Sequence, residues 1–182
     1  MKQRLLALAM TAAMALGLTA CGGSGSSSEG RIGDTMETFF FDFTVNSVRL
    51  TRDYEGYTPA DGNVLLVADI TVKNTNRQSI EMYDTDFWAQ WGKGDDVLAY
   101  PITLDAETYE TLDPVGDSQL PGTYTLAADE ERTGELVYEV PAGFTDFSIA
   151  YLEQFVDEDG NESTGDTFFV YFTAEEEAGV SA

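Results

Sequence analysis

The chain contains no histidine and only one cysteine, Cys21, among its 182 residues. Without histidine there is no Ser-His-Asp triad, no imidazole general base and no His-ligated zinc. A single thiol excludes an intrachain disulfide and a cysteine metal cluster. Basic residues are scarce too: nine Lys and Arg face 33 Asp and Glu, a formal charge of −24. That surface repels phosphate backbones and anionic lipid and favours cations and basic partners, so no nucleic-acid partner is expected. Beyond residue 20 the only lysines are Lys73 and Lys93, neither preceded at three residues by serine, and no Gly-x-x-x-x-Gly-Lys loop occurs. Serine–lysine nucleophile pairs and phosphate-binding loops are thereby excluded. Also missing, outside the first 20 residues, is any run of 11 or more with helical hydrophobic period. What remains is 43% apolar and 12% aromatic, enough for the core of one domain without staples.

The N-terminus has a three-part layout. Lys2 and Arg4 precede an uncharged Leu/Ala/Met run from Leu5 to Gly17, the n-region and h-region of a secretory signal. The 16 residues from Leu5 to Ala20 fall short of the ~20 that span a bilayer. Leu18-Thr19-Ala20-Cys21 resembles the bacterial lipobox. That resemblance implies cleavage of residues 1–20 and a diacylglyceryl thioether on Cys21, with palmitate-type acyl chains as membrane anchor. Two or three chains hold durably, each buried methylene contributing about 0.8 kcal/mol. Loss of Lys2 and Arg4 would take the charge from −24 to −26. Residues 21–34 read as the lipidated cysteine and a tether, since nine of the 13 residues from Gly22 to Asp34 are Gly or Ser. Residues 174–182, with Glu175-Glu176-Glu177, read as a disordered acidic tail.

Between them, residues 35–173 alternate with period 2. Val64 to Lys73 places Val64, Leu66, Ala68, Ile70 and Val72 on one face, while the other turns polar at Asp69, Thr71 and Lys73. The same alternation runs through Phe39/Phe41/Phe43/Val45, Leu136/Tyr138/Val140, Phe147/Ile149/Tyr151 and Phe168/Val170/Phe172. Asp61-Gly62, Gly92-Lys93-Gly94-Asp95, Pro121-Gly122, Pro141-Ala142-Gly143 and Asp159-Gly160-Asn161 supply turns. The pattern predicts an all-β, immunoglobulin-like antiparallel sandwich of about seven or eight strands. Residues 103–121 are the least regular part, an excursion between the two sheets.

Specific residues also carry a resemblance. Ile32-Gly33-Asp34, a first strand from Phe41 to Val48, and Val64 to Val72 running into Lys73-Asn74-Thr75 form its first half. Asp86-Phe87 before a glycine-centred hairpin follows, then the acidic turn Asp129-Glu130-Glu131 leading to Gly134-Glu135-Leu136-Val137-Tyr138-Glu139-Val140-Pro141. Together these resemble a family of bacterial lipoproteins built on a domain of unknown function, with a sandwich related to telokin and to a secreted mycobacterial immunogenic antigen. The resemblance implies the fold and a cell-surface setting; it carries no catalytic residue across.

Three functional readings follow. The first is a non-enzymatic, lipid-anchored module on the extracytoplasmic face of the cell membrane that contacts a protein, peptide or glycan. Its candidate surface residue is Trp88, placed on the strand face opposite Phe87, Ala89 and Trp91. The second is a calcium-dependent adhesion domain using Asp157, Asp159 and Asn161, whose alternate oxygen ligands suit a hard cation. The helix-loop-helix calcium pattern fails there, with Glu162 at loop position 6 and Phe168 at 12, so a hairpin turn is the simpler reading. The third is a carboxylate-based, glycan-acting enzyme with Trp88 or Trp91 and Tyr100 stacking on sugar. Neither a cofactor nor a catalytic residue is expected under the first reading.

Overall fold

The computed structural model describes residues 27–92, 97–156 and 160–175. Eleven strands and one short 3-10 turn account for its regular structure. Five strands are long: β3 (Phe41–Thr51), β4 (Asn63–Asn74), β9 (Glu131–Pro141), β10 (Asp146–Val156) and β11 (Glu162–Thr173). Six have two to five residues: β1 (Ser27–Arg31), β2 (Thr35–Glu37), β5 (Ile80–Tyr83), β6 (Phe87–Trp91), β7 (Leu98–Ala99) and β8 (Thr123–Leu126). The expected count of seven or eight was therefore low, because strands as short as β2, β7 and β8 show no readable period.

A four-stranded sheet in the order β2-β3-β4-β9 packs on a five-stranded sheet in the order β1-β11-β10-β6-β7, with β5 and β8 forming a separate pair. The period-2 alternation sets the core between them. Phe41, Phe43, Val45, Leu66, Ile70, Leu136 and Tyr138 from one sheet meet Phe87, Ala89, Ile149, Tyr151, Phe168 and Val170 from the other, all buried. The Phe43 and Phe87 rings meet edge-on with centroids 5.2 Å apart.

The second face of β4 is not left to solvent. Leu65 and Val67 are fully buried with Tyr54 and Val137, under Tyr57 and Ile102. A central strand covered on both sides explains the unbroken run Val64-Leu65-Leu66-Val67-Ala68. Arg49 and Tyr54 fasten this cover: the Arg49 guanidinium lies 2.7 Å from Glu135 Oε1, and the Tyr54 hydroxyl donates to Oε2 at 2.8 Å.

Two boundaries differ from expectation. The tether read at 21–34 ends sooner, because Ser27–Arg31 pairs with β11 as a parallel strand, Ser27 opposite Thr167. The free edge of β11 offers a row of backbone donors and acceptors, which outweighs the weak strand preference of Ser and Gly. It is also the one parallel pairing among otherwise antiparallel described strands. The tail read at 174–182 starts later. Ala174 is buried and donates its N–H to Thr145 O at 2.8 Å, while Leu50 N–H reaches Glu175 O at 3.1 Å. Residues 176–182 lie outside the described residues, as do Cys21 and the whole expected signal segment. The irregular stretch 103–121 links β7 to β8 and is held by bridges Leu104↔Thr111 and Gln119↔Glu135.

Candidate functional site

β4 belongs to one sheet and β6 to the other, and the chain crosses between them through β5 and the 3-10 turn Asp84–Asp86. A cleft of about 430 Å³ opens at this crossing. Trp88 is one wall. In β6 the alternation places Phe87 and Ala89 in the core, with Trp91 packed against it, and turns Trp88 to the outer face opposite Ala150. This is the face expected for it, and Leu152 and Gln154 of β10 continue the wall. Tyr100, which follows β7, and Tyr83, which ends β5, form the rim at 45% and 43% exposure. Phe40, Phe41 and Tyr151 close the inner end.

Two carboxylates face this aromatic lining. Asp86 ends the 3-10 turn, and its side chain reaches back to the start, Oδ2 accepting the Tyr83 N–H at 3.0 Å. Burial holds its carboxyl up at about 6, against the backbone hydrogen bond that lowers it, with the neighbouring Asp84 charge pushing the same way as burial. Glu81 is exposed on the rim and accepts the Tyr83 hydroxyl at 2.8 Å. Tyr83 thus ties both acids. Behind them Asp84 is buried, bonded through Oδ2 to the Thr103 hydroxyl, while its Oδ1 has no partner among the described residues. Burial raises the Asp84 carboxyl as well. The Tyr124 and Tyr151 hydroxyls are both pushed up by burial first and by the Asp86 charge second. The Trp88 indole N–H is buried without an acceptor among the described residues, and so is the Tyr124 hydroxyl. Buried polar atoms of this kind are rare, and they concentrate here.

An exposed aromatic patch adjoins the cleft. Phe39, Phe40 and Phe155 form a triangle with centroids 5.1 to 5.3 Å apart, and Phe39 and Val156 are each 68% exposed. Glu153 positions it. At the bulge between Leu152 and Gln154 its buried carboxylate accepts Phe39 N–H at 2.8 Å and Asp166 N–H at 3.1 Å. Gly165 leaves the space, since a Cβ there would stand 2.4 Å from Glu153 Oε2.

Of the residues singled out in the sequence, Trp88 and Tyr100 come together in the cleft, whereas Trp91 belongs to the core side. Asp157 and Asp159 lie outside the described residues; Asn161 precedes β11 and is exposed. No group of three or more metal-ligating side chains occurs among the described residues. Sequence reasoning missed Tyr83, Asp84, Asp86 and the Phe39/Phe155 patch. The signal available was Asp84-Thr85-Asp86 set directly against Phe87-Trp88, acids beside rings without a glycine or proline to explain them.

Fold and cleft together define a β-sandwich domain with an acidic, aromatic opening at one end. Residues 30–162 match the family described as Domain of unknown function (DUF4352), and the chain belongs to that family. No curated protein matches the chain. A candidate lipoprotein of Bacillus subtilis, ycdA, is similar in structure, with TM-score 0.52 and 21% identity over 75% of this chain. This chain spans 38% of the length of that one. A β-sandwich protein from Clostridium difficile 630 is 17% identical, covering 82% of this chain and 98% of its own, with TM-score 0.45. At these identities the likeness is one of fold. No helix among the described residues is long and apolar enough to cross a membrane.

Proposed function

We propose that the protein is a non-enzymatic binding module of the bacterial envelope, anchored by lipid on Cys21 at the extracytoplasmic face of the cell membrane. The Trp88 cleft and the Phe39/Phe155 patch would meet a protein, peptide or glycan there. The cleft carries the reading. It combines rings with two carboxylates fixed by Tyr83, the mixture of apolar walls and few polar groups that marks a binding site. The anchor is supported by Lys2 and Arg4, the apolar run and Leu18-Thr19-Ala20-Cys21, and by the lipoprotein description of the Bacillus subtilis chain. The non-enzymatic part rests on a chain without histidine whose one thiol is assigned to lipid.

Two experiments test it. Cells fed an alkyne fatty acid should label the full-length protein and leave Cys21→Ser unlabelled; equal labelling of both, or of neither, refutes the anchor. A photo-crosslinking amino acid at Tyr100 should give discrete adducts in cells that disappear in Trp88→Ala. Adducts indifferent to that substitution, or none, refute binding at the cleft.

A further inference from the structure

We propose that the Trp88 cleft receives a cationic side chain of an extended basic peptide, the charge lying at Asp86 and Glu81 and the aliphatic stem on the surrounding rings. This rests on the binding role proposed above and specifies its ligand.

Charge is the first argument. The cleft is lined by two carboxylates and, among the described residues, by no lysine or arginine. Both acids are held by one residue: Tyr83 donates its hydroxyl to Glu81 and its backbone N–H to Asp86 Oδ2. No hydrogen bond among the described residues uses Asp86 Oδ1. A carboxylate fixed against apolar walls attracts a cation more strongly than one in water, because the local dielectric is lower. The formal charge of −24 draws basic segments toward the domain from a distance.

Ring chemistry is the second. The faces of Trp88, Tyr83 and Tyr100 suit an ammonium or guanidinium, whose attraction to an indole is the strongest of the aromatic pairs. Ile80 and Leu152 offer the methylenes of a long side chain an apolar bed. Size is the third: about 430 Å³ accommodates one side chain with its flanking backbone and is too small for a folded element.

The test uses the full-length protein and three short peptides, identical except for a central lysine, norleucine or Nε-acetyl-lysine. Each is titrated while the two indole N–H resonances are followed by NMR, that of Trp88 being assigned from Trp88→Phe. The lysine peptide should shift the Trp88 resonance saturably. The norleucine and acetyl-lysine peptides should bind about tenfold or more weakly, as should the lysine peptide with Asp86→Asn or, independently, Glu81→Gln. Equal binding of lysine and norleucine peptides would overturn the cationic specificity and leave the cleft an apolar docking site, with the crosslinking outcome untouched. A Trp88 resonance that none of the peptides moves would overturn the inference too; the binding role itself would fall only with the crosslinking experiment.

Discussion

Asp86→Asn should make the protein more stable at neutral pH. The Asp86 carboxyl sits at about 6 in the folded chain against an ordinary 3.8, because burial beside Tyr124 and Tyr151 disfavours its charge and Asp84 adds repulsion. A displacement of about two pH units corresponds to ~3 kcal/mol at most, and the water that still reaches a half-buried carboxylate reduces this to on the order of 2 kcal/mol. The sign follows from proton binding. Between 3.8 and about 6 the folded state holds the proton that the unfolded state has released, so stability falls as pH rises through this window. Stability from this group is complete below 3.8 and lost above about 6. Asparagine never ionises, and its carbonyl can still accept the Tyr83 N–H. The variant should therefore melt roughly 4–8 °C above the parent at about pH 7.5, the gap narrowing to a degree or two near pH 4. Urea unfolding at both pH values gives the same comparison without heat. A variant less stable than the parent at about pH 7.5, or a gap unchanged near pH 4, would refute the claim that an ionised Asp86 is held at a cost. If the cost is retained for a cationic ligand, the lysine peptide should raise the parent's melting temperature and leave that of Asp86→Asn in place.

Trp88→Phe removes a buried N–H that lacks an acceptor, so it should cost no more than about 1 kcal/mol in urea unfolding despite the smaller ring; a loss beyond ~3 kcal/mol would mean that the N–H has a structural partner. Gly134→Ala should destabilise by about 1–3 kcal/mol, since its Cβ would stand 2.7 Å from Leu120 Cδ2 and 3.1 Å from the Ser118 carbonyl oxygen. A neutral result would show that the 118–120 segment yields freely. Glu153→Ala strands the Phe39 and Asp166 N–H groups and should cost on the order of 2–4 kcal/mol, with Glu153→Gln intermediate because one carbonyl acceptor survives. Equal stability of all three chains would contradict the role of Glu153 as the tie between β11 and the segment leading into β3.

The alternation in Phe41/Phe43/Val45, in Val64 to Val72 and in Leu136/Tyr138/Val140 was enough to determine an all-β sandwich and the inward face of each long strand. A period of 2 is a local property: successive side chains point to opposite sides whatever the strand pairs with. The same local rule put Trp88 on the face opposite Phe87 and Ala89. The absence of histidine and of a second cysteine likewise set chemical limits that no folding could change. Other features depended on partners distant in sequence. Ser27–Arg31 is Gly/Ser-rich and becomes a strand because the edge of β11, 140 positions away at Ser27↔Thr167, needs covering. Leu65 and Val67 are core only because the 51–60 segment and Ile102 fold over them. The cleft belongs to this second kind. Tyr83, Asp86 and Trp88 lie within six consecutive residues, but Tyr100 and Tyr151 come from two other stretches, and no spacing encodes their meeting with the first three. What joins them is the crossing from one sheet to the other, and an acid's proton affinity is set there by burial, which exists only once the two sheets have closed.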